Sequence, residues 1–311
     1  MMKRFKNILY FADGTTESSS TLQRAVDLAR TNSARLTVLD VLAETESPAR
    51  IQKQFGVDLN EILSDRHQEL LEGMVAPYGK EEAIYTRILT GTPFVAVIRA
   101  VLRNGYDLVI KEANSPASFP DRLFGSTDMH LLRKCPCPVW IDRPNAASPY
   151  RTILAAVDPI AEQDEDCGRL IMDLATSLAS RESARLAVVH AWRLYGESML
   201  RNGLARVPPA KLERMLGETR EFHREKLDQL LAPYELDADA TDVFLKKGEP
   251  AACIHEVSSE THADLIIMGT VGRLGVPGFF IGNTAEEILQ TTQASVLAVK
   301  PKGFVSPVLD S

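Results

Sequence analysis

The 311-residue sequence predicts an α/β fold made of two tandem domains, each with a doubly wound, five-stranded parallel sheet. Short apolar runs alternate strictly with helical patterns along the whole chain. The second half of the chain also repeats the order of the first half. Strict alternation favours parallel strands with helices on both faces of the sheet, joined by right-handed crossovers.

The predicted strands are β-branched or apolar runs bounded by polar residues or glycine. They lie at 5–12, 34–41, 84–89, 106–111 and 137–142 in the first half, and at 150–157, 184–191, 241–246, 263–268 and 295–300 in the second. Helical patterns fill the intervals at 18–31, 58–76, 93–104, 126–134, 164–180, 209–232, 250–261 and 283–292. The segments 44–57 and 194–208 follow the second strand of each half, and we predict that they are surface insertions that can cover a site.

An internal repeat indicates that the chain holds two copies of one domain. Residues 107–143 align with residues 264–300 at a constant offset and without a gap. This alignment places Gly125-Ser126-Thr127 on Gly282-Asn283-Thr284, at the start of a predicted helix in each half. Features of one half can therefore be compared position by position with those of the other.

The chain is long enough for two domains of ordinary size. Segment 142–149 is short, polar and contains prolines, so we predict domains at 1–145 and 150–311. The composition, 45% hydrophobic and 25% charged residues, is that of a globular protein.

Charge and hydropathy exclude some classes of partner. The net charge is −7, from 35 Lys+Arg and 42 Asp+Glu, and gives no basic surface of the kind that binds nucleic acid. No apolar run approaches the roughly 20 residues of a membrane helix, and the N-terminus lacks the apolar core of a secretory signal. We therefore expect a cytoplasmic protein that binds neither nucleic acid nor membranes.

The four cysteines predict no disulfide framework. Cys135 and Cys137 form a close pair, with both side chains expected on one face at the start of a strand. A metal or redox site would want a second cluster or nearby histidines, so we favour packing as small hydrophobic side chains. The six histidines show no metal-ligand spacing, and His190, at the end of a predicted strand, is interpreted as a core residue.

The segment 264–301 carries the strongest functional pattern in the chain. An apolar run stops at Gly269, Gly272 follows, and Gly282 then opens a helical pattern. Glycines let a ligand approach the backbone closely, and a helix N-terminus offers N–H groups to an anion. The segment therefore predicts a phosphate-binding site, with Arg273 as a candidate phosphate contact. A tight connection, with an exposed arginine that has no role, is the alternative.

An aspartate follows the first strand of each half, Asp13 in the first and Asp158 in the second. Ligands of open α/β sheets bind at the carboxyl ends of the strands, where the connections reverse direction. Asp158 and the glycine-rich loop should therefore converge on one crevice, although Asp158 could instead cap the following helix.

A G-x2-G-x9-G pattern after the fourth strand, with an aspartate that ends the first strand, resembles the universal stress protein family. The resemblance covers essentially the whole chain as a tandem pair, and the run from Gly282 to Glu286 is similar to two-domain E-type members. It implies a Rossmann-like or flavodoxin-like domain that in many members binds ATP. One departure is Asn283, where the family pattern has serine or threonine.

The resemblance also implies roles for individual residues of the second half. Asp158 would lie beside the ribose or a magnesium ion, and the backbone near Ala191 would meet the adenine. Met268 and Arg273 complete the candidate set. The residues that would hold the phosphates are Gly269, Gly272, Gly282, Asn283 and Thr284.

The first half departs from the pattern. Glu112 and Ser115 stand where the second half has Gly269 and Gly272. A side chain at each position narrows the approach, and Glu112 adds a negative charge beside any phosphate. We predict that the first half binds no nucleotide.

Three functions remain open from the sequence. The favoured one is a nucleotide-responsive stress protein that acts through unidentified protein partners. The second is an adaptor or apolar-ligand binder with vestigial glycine loops, and the third, less favoured, is an ATP-using enzyme. Nothing requires catalysis, because no nucleophile with an adjacent base is evident. Single-domain relatives pair as dimers, so the resemblance also implies an intramolecular pseudo-dimer, with further self-association open.

Overall fold

The computed structural model of the protein describes most of the chain. The described residues are 5–14, 19–42, 59–79, 83–113, 124–144, 146–160, 165–202, 207–270 and 282–309.

The strands form one ten-stranded sheet with the order β3-β2-β1-β4-β5-β10-β9-β6-β7-β8. The first five are β1 (Asn7–Phe11), β2 (Arg35–Leu42), β3 (Ile84–Thr90), β4 (Leu108–Glu112) and β5 (Val139–Asp142). The second five are β6 (Thr152–Ala156), β7 (Arg185–Trp192), β8 (Val243–Lys247), β9 (Leu265–Gly269) and β10 (Ser295–Val299). All predicted strands are present, so the α/β fold class is confirmed.

The helices also lie close to the predicted intervals. They are α1 (Ser20–Asn32), α2 (Leu59–Val75), α3 (Pro93–Asn104), α4 (Ser126–Lys134), α5 (Glu165–Glu182), α6 (Glu197–Asn202), α7 (Pro209–Leu231), α8 (Pro250–Thr261) and α9 (Asn283–Thr291). Helix α6 lies inside the insertion 194–208, for which we expected no helix. Among the described residues, no helix is long and apolar enough to cross a membrane.

The two halves join through their last strands. Strands within each half are parallel, whereas β5 and β10 pair antiparallel, with Trp140 opposite Leu297. The strand order therefore reads the same from either edge, which is the expected intramolecular pseudo-dimer. What the sequence did not predict is that the two sheets merge into one mixed sheet.

The hydrophobic core is also shared by both halves. Along β1 the side chains alternate between the faces of the sheet, with Ile8 and Tyr10 on one side and Leu9 and Phe11 on the other. One face packs against α1, α2, α5 and α7, and the other against α3, α4, α8 and α9. Each layer of the core is continuous across the β5–β10 junction.

A buried ionic cluster lies at the same junction. Arg24 of α1 donates to Asp142 at the end of β5, with a 3.1 Å distance, and to Glu182 at the end of α5, at 3.0 Å. The Tyr150 hydroxyl also donates to Asp142, at 2.6 Å. Since Arg24 belongs to the first half and Glu182 to the second, the cluster joins the halves by charge as well as by packing.

Candidate functional site

The candidate site of the second half lies where β6, β7 and β9 end. Strand β6 pairs with both neighbours, and its last residue, Ala156, stands beside Met268 of β9. Asp158 follows β6 with its side chain exposed, and its carboxylate accepts a hydrogen bond from the Ile160 amide at 3.4 Å. Ala191 lies near the end of β7. The strand order thus brings Asp158, Ala191 and Met268 to the carboxyl ends of three neighbouring parallel strands.

The two ends of the glycine-rich loop lie next to each other. The Gly282 amide donates to the carbonyl oxygen of Thr270 at 2.8 Å, and the Thr270 amide donates to Val299 at 3.2 Å. The ends of the loop are therefore fixed between β9 and α9. Gly272 and Arg273, both predicted site residues, lie outside the described residues.

Gly269 has a packing role at the end of β9. A Cβ atom at this position would lie 3.3 Å from the sulfur of Cys167, in the first turn of α5. In the first half, Glu112 occupies the equivalent position, and its carboxylate accepts a hydrogen bond from Thr21 of α1 at 3.0 Å. Helix α5 therefore approaches the strand end closely in the second half.

Among the described residues, no side chain caps the N-terminus of α9. Gly282 is the N-cap residue in an extended conformation, and Asn283, Thr284 and Ala285 form the first positions of the helix. The first amides of a helix have no partners within it. Together with the helix dipole, these amides make the end of α9 suitable for an anion.

The equivalent place in the first half is filled by a buried ion cluster. Lys111 of β4 is fully buried, and its ammonium group lies 3.0 Å from a carboxylate oxygen of Asp13 and 2.8 Å from one of Asp128. The other oxygen of Asp128 accepts a hydrogen bond from the Gly125 amide, at the start of α4, at 2.9 Å. A carboxylate of the protein itself therefore occupies the position of an anion at this helix.

The repeat alignment gives the second-half counterparts of this cluster. Met268 stands where the first half has Lys111, and Ala285 where it has Asp128. Both replacements are apolar and buried. The second half thus keeps the helix N-terminus and lacks the carboxylate that caps it in the first half.

Lys300 connects the loop to the first half. It lies 6% exposed directly after β10, and burial lowers the pKa of its ammonium group to about 8. The group donates to the Leu132 carbonyl at 2.7 Å, to the Arg133 carbonyl at 3.3 Å, and to the Thr270 hydroxyl. It therefore joins the last turn of α4 to the first residue of the loop. Lys300 is absent from the residues predicted from the sequence, although a lysine directly after an apolar strand is a visible signal.

Two histidines meet beside the crevice. The His190 ring is 2.8 Å from that of His223 on α7, and its other nitrogen is 3.1 Å from the Val157 carbonyl. His190 is thus a core residue with partners, as predicted. The first half has Asp40 and His67 in the corresponding places, 3.0 Å apart. Within the described residues, no group of three or more possible metal ligands occurs.

Comparison with known proteins decides the family. The model of the universal stress protein family matches residues 4–143 and 149–300. The chain belongs to the universal stress protein family. Its two matched stretches correspond to the two halves of the sheet, so it is a tandem member.

Relatives named universal stress protein E extend over most of the chain. The universal stress protein E homolog of Haemophilus influenzae is 27% identical over 308 residues, which cover 96% of this chain and 98% of that protein. Universal stress protein E of Escherichia coli K12 is 28% identical over 216 residues, which cover 70% of this chain and 67% of that protein.

Solved structures share the fold. A putative universal stress protein from Pseudomonas aeruginosa UCBPP-PA14 superposes with a TM-score of 0.72 at 21% identity, covering 97% of this chain and 95% of that chain. A universal stress protein from Archaeoglobus fulgidus gives 0.58 at 17% identity, covering 94% of this chain and 98% of that chain. At these identities the likeness concerns the fold alone.

Proposed function

We propose that this universal stress protein binds ATP or a related nucleotide in its second half and regulates unidentified protein partners according to its occupancy. The observation that carries the proposal is the difference between two equivalent helix N-termini. At α4 the Asp128 carboxylate accepts from the Gly125 amide. At α9, in contrast, Ala285 stands at that position and the equivalent Gly282 amide donates to the Thr270 carbonyl. The N-terminus of α9 therefore lacks the negative charge that Asp128 brings to α4. A phosphate group would supply the missing negative charge at α9.

A nucleotide with its phosphates at the N-terminus of α9 would meet the following described residues. The amides of Asn283 and Thr284 would face the phosphates, and Gly282, whose own amide donates to Thr270, would let them approach the backbone closely. Asp158, which is exposed at the end of β6, would lie beside the ribose or a magnesium ion. The backbone at Ala191 would meet the base. Gly272 and Arg273 are proposed as phosphate contacts from the sequence pattern alone.

The first half takes no nucleotide in this proposal. Lys111 contributes one positive charge to its crevice, while Asp13, Asp128 and Glu112 contribute three negative charges. The surplus is negative, so a phosphate would be repelled there.

An adaptor with a vestigial loop is the second candidate, favoured by one observation. Gly269 packs against Cys167, so at least one glycine of the pattern has a structural reason to be present. The two candidates differ in whether the crevice binds a nucleotide at all.

The test copies the first-half cluster into the second half. The variant Met268→Lys/Ala285→Asp should retain the fold and bind ATP at least about tenfold more weakly. A carboxylate about 5 Å from a phosphate costs roughly 3 kcal/mol at an effective dielectric constant of about 20, and the added lysine, which pairs with the carboxylate, offsets part of this cost. Equilibrium dialysis with labelled ATP measures the affinity. The control is Gln290→Glu, which adds a carboxylate at an exposed position of α9, away from its N-terminus.

Two outcomes would contradict the proposal. Wild-type protein that binds no ATP at millimolar concentration, and carries no nucleotide in native mass spectrometry after purification, would favour the adaptor. Equal affinity in the wild type and the Met268→Lys/Ala285→Asp variant would show that any bound nucleotide lies elsewhere.

A further inference from the structure

Two buried thiols face each other at the junction of α4 and β5. The sulfur atoms of Cys135 and Cys137 are 3.6 Å apart, with only Pro136 between them in sequence. Cys135 is 0% and Cys137 8% exposed. The sequence analysis expected both side chains on one face, and the structure places them in direct contact.

We propose that Cys135 and Cys137 form a site of reversible thiol oxidation, which a hydroperoxide converts into an intramolecular disulfide. The sulfur atoms must approach by roughly 1.5 Å to reach the bond length of about 2.05 Å. Both cysteines lie in the short connection between α4 and β5, so the adjustment involves one segment of chain.

The reaction balances with one hydroperoxide. One thiol attacks the peroxide oxygen, the O–O bond breaks, and a sulfenic acid forms as water or an alcohol leaves. The second thiol attacks the sulfenic sulfur, the S–O bond breaks, and a further water leaves. Two sulfur atoms are oxidised by one electron each, and the peroxide takes both electrons. Cys137 is the sulfur with residual exposure, so the peroxide meets it first.

The surroundings of the two thiols make their oxidation slow, unlike that of a peroxidase thiol. The hydrogen bond to Cys135, together with burial, raises the pKa of the Cys137 thiol well above its usual value. The charged groups that face the pair from other elements are Asp107, which adds to this rise, and the buried Lys300, which faces Cys135. The thiolate is the reactive species, so oxidation at Cys137 is slow at neutral pH and its rate increases as pH rises. Sustained exposure to peroxide, not a brief pulse, would convert the protein.

The same segment leads to the candidate nucleotide loop. The Cys135 amide donates to the Leu131 carbonyl at 2.9 Å and so closes the last turn of α4. The next two carbonyls of that turn hold Lys300, which also holds Thr270 at the start of the loop. A disulfide moves Cys135 and hence the acceptors of Lys300. This second consequence, a lower nucleotide affinity in the oxidised protein, rests on the proposed function.

The disulfide is tested by peptide mapping of the full-length protein. Trypsin cleaves after Lys134 and Arg151 but not between Arg143 and Pro144, so the peptide Cys135–Arg151 carries only these two cysteines. After peroxide treatment, unfolding and alkylation, this peptide should be lighter than its thiol form by two hydrogen masses and carry no alkyl group. A reductant should restore two alkylation sites.

Internal and variant controls complete the experiment. The peptides with Cys167 and Cys253 should stay fully alkylated, and the variant Cys137→Ser should leave no disulfide in the Cys135 peptide. Two alkyl groups on the wild-type peptide after prolonged peroxide treatment, or a disulfide from either cysteine to Cys167 or Cys253, would overturn the proposal.

ATP affinity is then compared between reduced and oxidised protein. A severalfold loss in oxidised wild type, absent from peroxide-treated Cys137→Ser, supports the connection through Lys300. An unchanged affinity in protein that carries the disulfide overturns that connection. If reduced protein binds no ATP, the proposed function fails, while the peptide map still decides the oxidation site.

Discussion

At the scale of single residues, the two copies differ most in charge at one buried position. Lys111 lies among Asp13 and Asp128 in the first half, while Met268 and Ala285 stand at two of these positions in the second. A buried ion pair adds little net stability, but removing one partner leaves an uncompensated charge. Lys111 and the carboxylates that pair with it should therefore be kept together or replaced together.

We expect Lys111→Met to destabilise the protein by about 3–5 kcal/mol, because it leaves the carboxylate of Asp128 buried without its cation. Urea unfolding measures the loss. The variant Lys111→Met/Asp128→Ala copies the second half and should lose less than Lys111→Met alone. A control, Lys302→Met at an exposed site, should change stability by under about 0.5 kcal/mol.

Lys300 predicts a pH dependence of stability. Its pKa is about 8 in the folded protein and 10.5 ordinarily, because burial disfavours the charged form. Between these values the unfolded chain binds more protons, so this group makes the folded state more stable as pH rises. Below pH 8 both states are protonated and the contribution is constant.

Urea unfolding of wild type and Lys300→Met at neutral pH and at about pH 9.5 isolates this contribution. The free energy of unfolding of wild type should gain about 2 kcal/mol relative to the variant over this interval. A difference between the two proteins that does not change with pH would contradict the assigned pKa.

The site was partly predictable from the sequence at this scale. Gly282 and Asp158 could be proposed as site residues because glycine at a helix start and an aspartate at a strand end are local patterns, and the structure has them at those two positions. Lys111 and Lys300 were not, because their partners lie on other elements: Lys111 meets Asp13 and Asp128, and Lys300 meets the last turn of α4. Which side chains meet across elements depends on strand order and register, and a single sequence does not specify these.

At the scale of elements, the spacing of apolar residues predicted the helices that pack against the sheet. Helix α4 was predicted at the observed bounds because apolar spacing, a glycine N-cap and a polar end all agree. Helix α6 was missed because its six residues contain no buried side chain, so no apolar stripe marks it. Elements that pack on the sheet could thus be predicted, while a short helix outside the core could not.

Helices α1 and α5 belong to different halves, and Arg24 joins them. Replacing Arg24 with methionine should cost about 3–5 kcal/mol, because Asp142 would lose its buried cation and Glu182 would keep only Arg181. Its matched control is Arg133→Met, which removes the ion pair to Glu286 between α4 and α9. Both partners of that pair are about one-third exposed, so the loss should stay under about 1 kcal/mol. Similar values for the two variants in urea unfolding would refute this distinction.

At the scale of the molecule, the two halves share one sheet and one hydrophobic core. Strands β5 and β10 pair at the centre of the sheet, and both layers of the core cross that junction. Neither half can lose its structure without exposing an unpaired strand edge and the apolar side chains that pack across the junction. The repeat in the sequence predicted two similar halves, but the sequence carries no pattern that specifies the antiparallel contact between them.

This organisation predicts that the halves unfold together. The chain has two tryptophans, Trp140 on β5 of the first half and Trp192 on β7 of the second, so each half carries its own fluorescence probe. In Trp192→Phe the fluorescence reports the first half, and in Trp140→Phe it reports the second. In each variant the fluorescence transition in urea should coincide with the far-ultraviolet circular dichroism transition of the same protein, because one cooperative unit has one midpoint.

Comparing the two probes within each variant cancels any stability lost with the tryptophan, such as the bond from Trp140 to the Tyr150 hydroxyl at 3.2 Å. Separated midpoints would mean that the β5–β10 junction opens before the two halves unfold, and that the shared core contributes too little to couple them.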